Sequence, residues 1–165
     1  MDETHLQIGS FDDFVKKDQE KNKEKESIDE RFSRERLEWS EKIADMSDKM
    51  RDVFKVAELQ TTIYTERQRA VEYRHYLISF FSKINRRYKS QWVEKYDHYS
   101  YKSQKRFPNE KTKELQILSE MSEIVSMREA IDNHIKFVDS TIDTIDKLLY
   151  GVKYKVEIEQ MSRGR

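Results

Sequence analysis

Apolar residues recur along this chain at helical spacing, and no alternating stretch is long enough for a strand. The first run is Ile28, Phe32, Trp39, Ile43, Met46, Met50, Val53 and Ala57. Its steps are all three, four or seven, which marks one apolar face of a helix. Ser27 with Glu30 three residues on predicts a capping box at its start. Thr61 and Thr62 interrupt the pattern weakly, and a longer helix is predicted from about residue 63 to about 100. One face carries Ala70, Leu77, Phe81, Ile84, Tyr88, Trp92 and Tyr99. A second carries Arg69, Tyr73, Tyr76, Phe80, Lys83 and Arg87.

The stretch SYKSQKRFPN, from Ser100 to Asn109, predicts the reversal. Pro108 disfavours helix at Phe107. Residues 110 to 160 then form one long helix or two in line. Their seam is Ile117, Met121, Ile124, Met127, Ile131, Ile135, Val138, Ile142, Ile145, Leu149, Val152 and Val156. From Ile131 the steps alternate four and three, a heptad register. Gly151 lies within it as an expected bend or end. The fold class is therefore all-α: a long helical hairpin with an additional N-terminal helix. Residues 1–27, with the charged run KKDQEKNKEKES, read as a flexible lead-in. Residues 28–161 form the helical domain, and 162–165 fray.

Composition agrees with long polar helices that have narrow apolar seams. The 165 residues are 36% hydrophobic and 39% charged, with one Pro and three Gly. No Cys is present, which excludes disulfide and thiol chemistry. No apolar run approaches the ~20 residues of a membrane span, and the acidic, polar N-terminus is unlike a signal peptide. A soluble intracellular protein is expected.

Charge changes this picture. The net charge is zero, but residues 83 to 113 hold ten Lys or Arg against three acids, a local +7. Residues 1 to 65 and 114 to 148 each carry −5. Within the basic tract stand Tyr88, Trp92, Tyr96, Tyr99, Tyr101 and Phe107. Cations interleaved with flat rings suit a single nucleic-acid strand, whose phosphates need charge and whose bases need faces. The same residues have plainer readings. Tyr88, Trp92, Tyr96 and Tyr99 continue the apolar face and fit core packing, with Tyr96 and Tyr101 the better candidates for exposure. The stripe of Tyr73, Tyr76, Phe80, Lys83 and Arg87 fits either strand contact or packing under the N-terminal helix or a neighbouring subunit, with the Lys and Arg stems reaching outward.

Catalytic patterns are missing. Gly9, Gly151 and Gly164 are too far apart for a phosphate loop. His5, His75, His98 and His134 lack metal-ligand spacing. His98, between Asp97 and Tyr99, has no evident partner for general-base work. No catalytic residue, metal ligand or cofactor is expected.

The segment EYRHYLISFFSKINRRYKSQWVEKYDHYSYKS, the Pro-containing turn and the helix ending IDKLLYGVKYKVEIEQM together resemble the UvsY family of phage recombination mediators. The resemblance covers roughly residues 70 to 161. It is carried by Asp97–Ser100 closing a basic helix, by the tail from Gly151 to Met161, and by the order of elements. The family's basic residues ahead of the aromatic–Ser pair map onto Lys95. Arg86, Arg87 and Lys89 fall one or two turns earlier, and 28–57 has no counterpart.

The resemblance implies an all-helical protein that forms homo-oligomeric rings, hexamers or heptamers, through its C-terminal helix. It implies binding to single-stranded DNA and help for a RecA-like phage recombinase in displacing single-stranded-DNA-binding protein. It implies no ATPase activity, and action in the cytoplasm of the phage-infected bacterial host. On this reading phosphates lie along Lys83, Arg86, Arg87, Lys89, Lys95, Lys102, Lys105 and Arg106. Bases stack on Tyr73, Tyr76, Tyr96 or Tyr101. The seam of Val138, Ile142, Ile145, Leu149, Val152 and Val156 holds helices and subunits together. The alternative is a non-catalytic coiled-coil adaptor whose basic tract meets an acidic protein.

Overall fold

The computed structural model describes residues 26–52 and 56–163. The lead-in at 1–25, His5, Val53 and the last two residues lie outside that range. Four helices make up the described chain: α1 (Ile28–Lys49), α2 (Val56–Asp97), α3 (Glu110–Glu120) and α4 (Ser122–Arg163). No strand occurs among the described residues.

The predicted capping box opens α1: Ser27 Oγ accepts from Glu30 N, and the Glu30 carboxylate accepts from Ser27 N. Helix α1 ends at Lys49, so Ala57 belongs to α2 rather than to the first helix. Helix α2 starts at Val56, earlier than its predicted start near residue 63. Thr61 and Thr62 do not interrupt it. The Thr62 hydroxyl bonds back to the Glu58 carbonyl and that of Thr65 to the Thr61 carbonyl, so these polar residues cause no break.

The core is built on seven-residue columns. Phe32, Trp39 and Met46 are buried on α1. Val56, Ile63, Ala70, Leu77 and Ile84 are buried on α2. Ile117, Ile124, Ile131, Val138, Ile145 and Val152 are buried along α3 and α4. A seven-residue column stays against its partner when helices wind slightly around one another. Helices α2 and α4 form the hairpin. Helix α1 lies along its base, with Phe32 against His134 of α4 and Met50 beside Gly151. Because α1 starts only one turn before Phe32, the outer hairpin beyond Ile84 is a two-layered stalk among the described residues.

Two features of the seam depart from expectation. Gly151 neither bends nor ends α4, which continues to Arg163. A Cβ there would lie 2.6 Å from Met50 Cε, so the glycine leaves space for the end of the Met50 side chain. The Lys155 ammonium completes that end by donating to the Met50 carbonyl. The second fully buried column of α4 contains His134 and Thr141, while Ile135 and Ile142 are only half-buried.

Ion pairs fix the register between helices. Arg67 grips Asp146 with two nitrogens, at 2.5 and 3.2 Å. Arg74 pairs with Asp139, and Lys42 with the buried Glu66 at 2.8 Å. The lower helix divides at Met121 (φ −104°, ψ 14°), giving the two in-line segments α3 and α4.

Candidate nucleic-acid interface

The basic tract occupies the outer end of α2, the tip and the start of α3. After Asp97 the chain makes one wide turn, His98–Lys102, closed by Ser103 N donating to the His98 carbonyl at 2.8 Å. Such five-apart bonds widen a helix locally. An irregular link then reaches Asn109, whose side chain caps α3 by accepting from Thr112 N at 2.9 Å.

Arg86, Lys89, Lys102, Lys105 and Arg106 are exposed, as is Lys83. Tyr101, 83% exposed, is the most open aromatic of the tract. Arg87 is exposed too, but it lines a cavity of 330 Å³ together with Glu94, Glu120 and Glu123. Those carboxylates oppose a polyanion beside it. Lys95 departs further from expectation: its ammonium bonds Glu120 at 2.7 Å across the hairpin. The Glu120 carboxylate, which also accepts from Tyr99 and Gln116, is held down to about 2 by these bonds, that of Lys95 first. Lys95 therefore clamps the stalk.

The aromatic candidates divide. Tyr73 is not available to stack a base. Its hydroxyl donates to Glu35 of α1, lies 3.2 Å from His134 Nε2, and its half-buried ring meets His134 edge-on. Tyr76 stacks between Tyr73 and Phe80, with centroids 6.1 and 6.4 Å away, as packing beside α1 requires. Tyr88, Trp92, Tyr96 and Tyr99 pack on the core cluster, the plainer of their two readings. Tyr96 is half-buried, with the Lys113 ammonium 4.0 Å from its ring centroid and its hydroxyl 3.1 Å from Glu110.

Val138, Ile145 and Val152 are fully buried within the single chain and present nothing to a second copy. Ile142, Leu149 and Val156 are half-buried against the same cluster. The large apolar side chains left open on α4 are Tyr150, Tyr154, Ile158 and Met161, on one face at steps of four, four and three.

Sequence reasoning passed over two groups. His134 is wholly buried, stacked on Phe32 at 4.1 Å and bonded to Glu35 Oε2 at 3.0 Å. Burial would raise the Glu35 carboxyl, but bonds from His134, Tyr73 and Arg31 outweigh it and bring it to about 2. Burial and the same carboxylate push the Tyr73 hydroxyl above its usual range. Lys113, only 6% exposed, bonds Ser100 at 3.0 Å and Glu110 at 2.8 Å. Sequence spacing marks only the local pairs, Arg31 with Glu35 and Glu110 with Lys113, because the partners that complete each cluster, Tyr73 and His134 in one and Ser100 and Tyr96 in the other, lie on other elements. The described residues contain no His, Cys, Asp or Glu group arranged to hold a metal, and no described helix is long and apolar enough to cross a membrane.

These features define an all-helical hairpin with a cationic outer end. No protein-family model, curated protein or solved structure matches the chain.

Proposed function

We propose that this chain is a recombination mediator of the UvsY type. It binds single-stranded DNA and promotes loading of a RecA-like phage recombinase onto strands coated by single-stranded-DNA-binding protein. It does so without catalysis, in the cytoplasm of an infected bacterium. The observation that carries the reading is the projecting stalk end, where Arg86, Lys89, Lys102, Lys105 and Arg106 stand exposed around the open ring of Tyr101. Cations of one sign on a narrow projection attract a polyanion, and an open ring accepts any unpaired base.

Phosphates lie on those five cations, with Lys83 beside them. Lys95 supports the stalk, and Tyr73 and Tyr76 support the base. Copies assemble into a ring through the C-terminal part of α4, where Tyr150, Tyr154, Ile158 and Met161 are open. A ring links several weak sites on one strand and raises their effective concentration.

The test is binding to oligo-dT and to a duplex of equal length in dilute buffer, with size measured by light scattering. Assembled protein that prefers the single strand supports the reading. Protein that ignores both nucleic acids but captures an acidic protein supports the adaptor alternative instead.

A further inference from the structure

We infer that the cleft at the hairpin tip takes one unstacked nucleotide of a bound strand, with its base against Tyr101 and Phe107 and its phosphate on Lys105 and Arg106. The inference rests on the single-strand reading above and adds a place for a base to a surface otherwise suited to phosphates.

The cleft measures 730 Å³, within the ~300–1,000 Å³ of small-molecule sites. Lys113 lines it, and its buried ammonium is fixed by Ser100, Glu110 and the face of Tyr96. Hydrogen bonding to Glu110 raises the Lys113 ammonium above its usual range and lowers the carboxyl of Glu110 in return. Both stay charged, and together they form a fixed ion pair in the lining. Its wall is Phe107, set edge-to-face against Tyr99 at 5.3 Å and 89°. The Lys105 ammonium stands 5.3 Å from the Phe107 centroid, so a cation and a ring are presented together.

Glu110 gives the cleft a hydrogen-bond acceptor. Its side chain is mostly exposed at the cleft and can only accept hydrogen bonds. Lys113 neutralises its charge, so the net positive charge of the lining comes from Lys105 and Arg106. A base offers donors to the carboxylate, a ring N–H in thymine or guanine and an exocyclic amino group in adenine or cytosine, while its phosphate lies near Lys105 and Arg106. A base within a duplex is paired and stacked, so entry selects a single strand.

The experiment compares a thymidine oligonucleotide with an abasic strand of equal length on the full chain and on Tyr101→Ala, with Phe107→Leu as a second variant. The native chain should bind the thymidine strand about tenfold or more tightly than the abasic one, as base stacking on an aromatic implies. Tyr101→Ala should remove most of that preference. Exposed as it is, Tyr101 can be removed without loss of helix content, which circular dichroism checks. A preference that survives in both variants overturns the cleft assignment, as does a native chain that binds both strands equally. A native chain that binds neither strand overturns the single-strand reading itself, and the cleft with it.

Discussion

Oε2 of Glu35 lies 3.0 Å from Nε2 of His134, joining α1 to α4 in the interior of the helical base. The carboxylate accepts, so Nε2 carries the proton, while Nδ1 is buried without a hydrogen-bond partner. Tyr73 donates to the same oxygen from α2. One carboxylate thus ties three helices together.

The pH dependence follows from the sign of the Glu35 shift. Its carboxyl is held at about 2 in the folded chain against 4.5 as the reference. The unfolded chain binds the proton more readily, so this contribution is complete above about pH 4.5. It is lost as pH falls from there towards about 2. The shift corresponds to an order of 3 kcal/mol. Urea unfolding should show native stability dropping across that window, and Glu35→Gln should show a weaker drop from a lower starting value.

Phe32→Ala should release α1 from the hairpin. The ring is buried and stacked on His134 at 9° between planes. Its loss should cost about 3–5 kcal/mol. Amide exchange should show α1 losing protection first, while the outer α2–α3 stalk, which α1 does not cover, keeps its own.

The hairpin and the heptad columns were legible because burial between long helices requires that periodicity. The buried flank of α4 was not. A repeat of Ile135, Ile142 and Leu149 reads as the seam, yet His134 and Thr141 are the residues fully enclosed. A third helix lies on their side, and its partners Phe32 and Glu35 are about a hundred residues away in sequence. The basic tract was legible as charge, but which cations are free was not. Lys95 and Arg86 look alike in sequence, and only the cross-hairpin Glu120 separates them.

That separation has a measurable consequence. If six phosphates are neutralised per subunit, log affinity should fall with log salt at a slope near −4, taking ~0.7 per phosphate. Arg86→Glu should weaken binding and make the slope shallower by about 0.7 or more. Lys95→Met should leave the slope unchanged and instead cost under about 1 kcal/mol of stability, the size of a partly exposed pair. Salt titration of the three proteins checks both. Equal effects from both substitutions would return Lys95 to the strand.

Assembly should respond to the open face of α4 rather than to its seam. Tyr154 and Ile158 are each 66% exposed, one turn apart, so Asp at both positions introduces no charge into the core. The monomer should keep its helix content and unfolding midpoint. Light scattering should show smaller particles, and oligo-dT affinity should fall as linked sites separate. Ile142→Asp and Leu149→Asp act differently, because both side chains pack on the base cluster beside Ile145 and Val152. Their first effect should be unfolding of the base, seen as a lower urea midpoint at any protein concentration. If Tyr154→Asp with Ile158→Asp leaves particle size intact, the C-terminal face is not where copies meet.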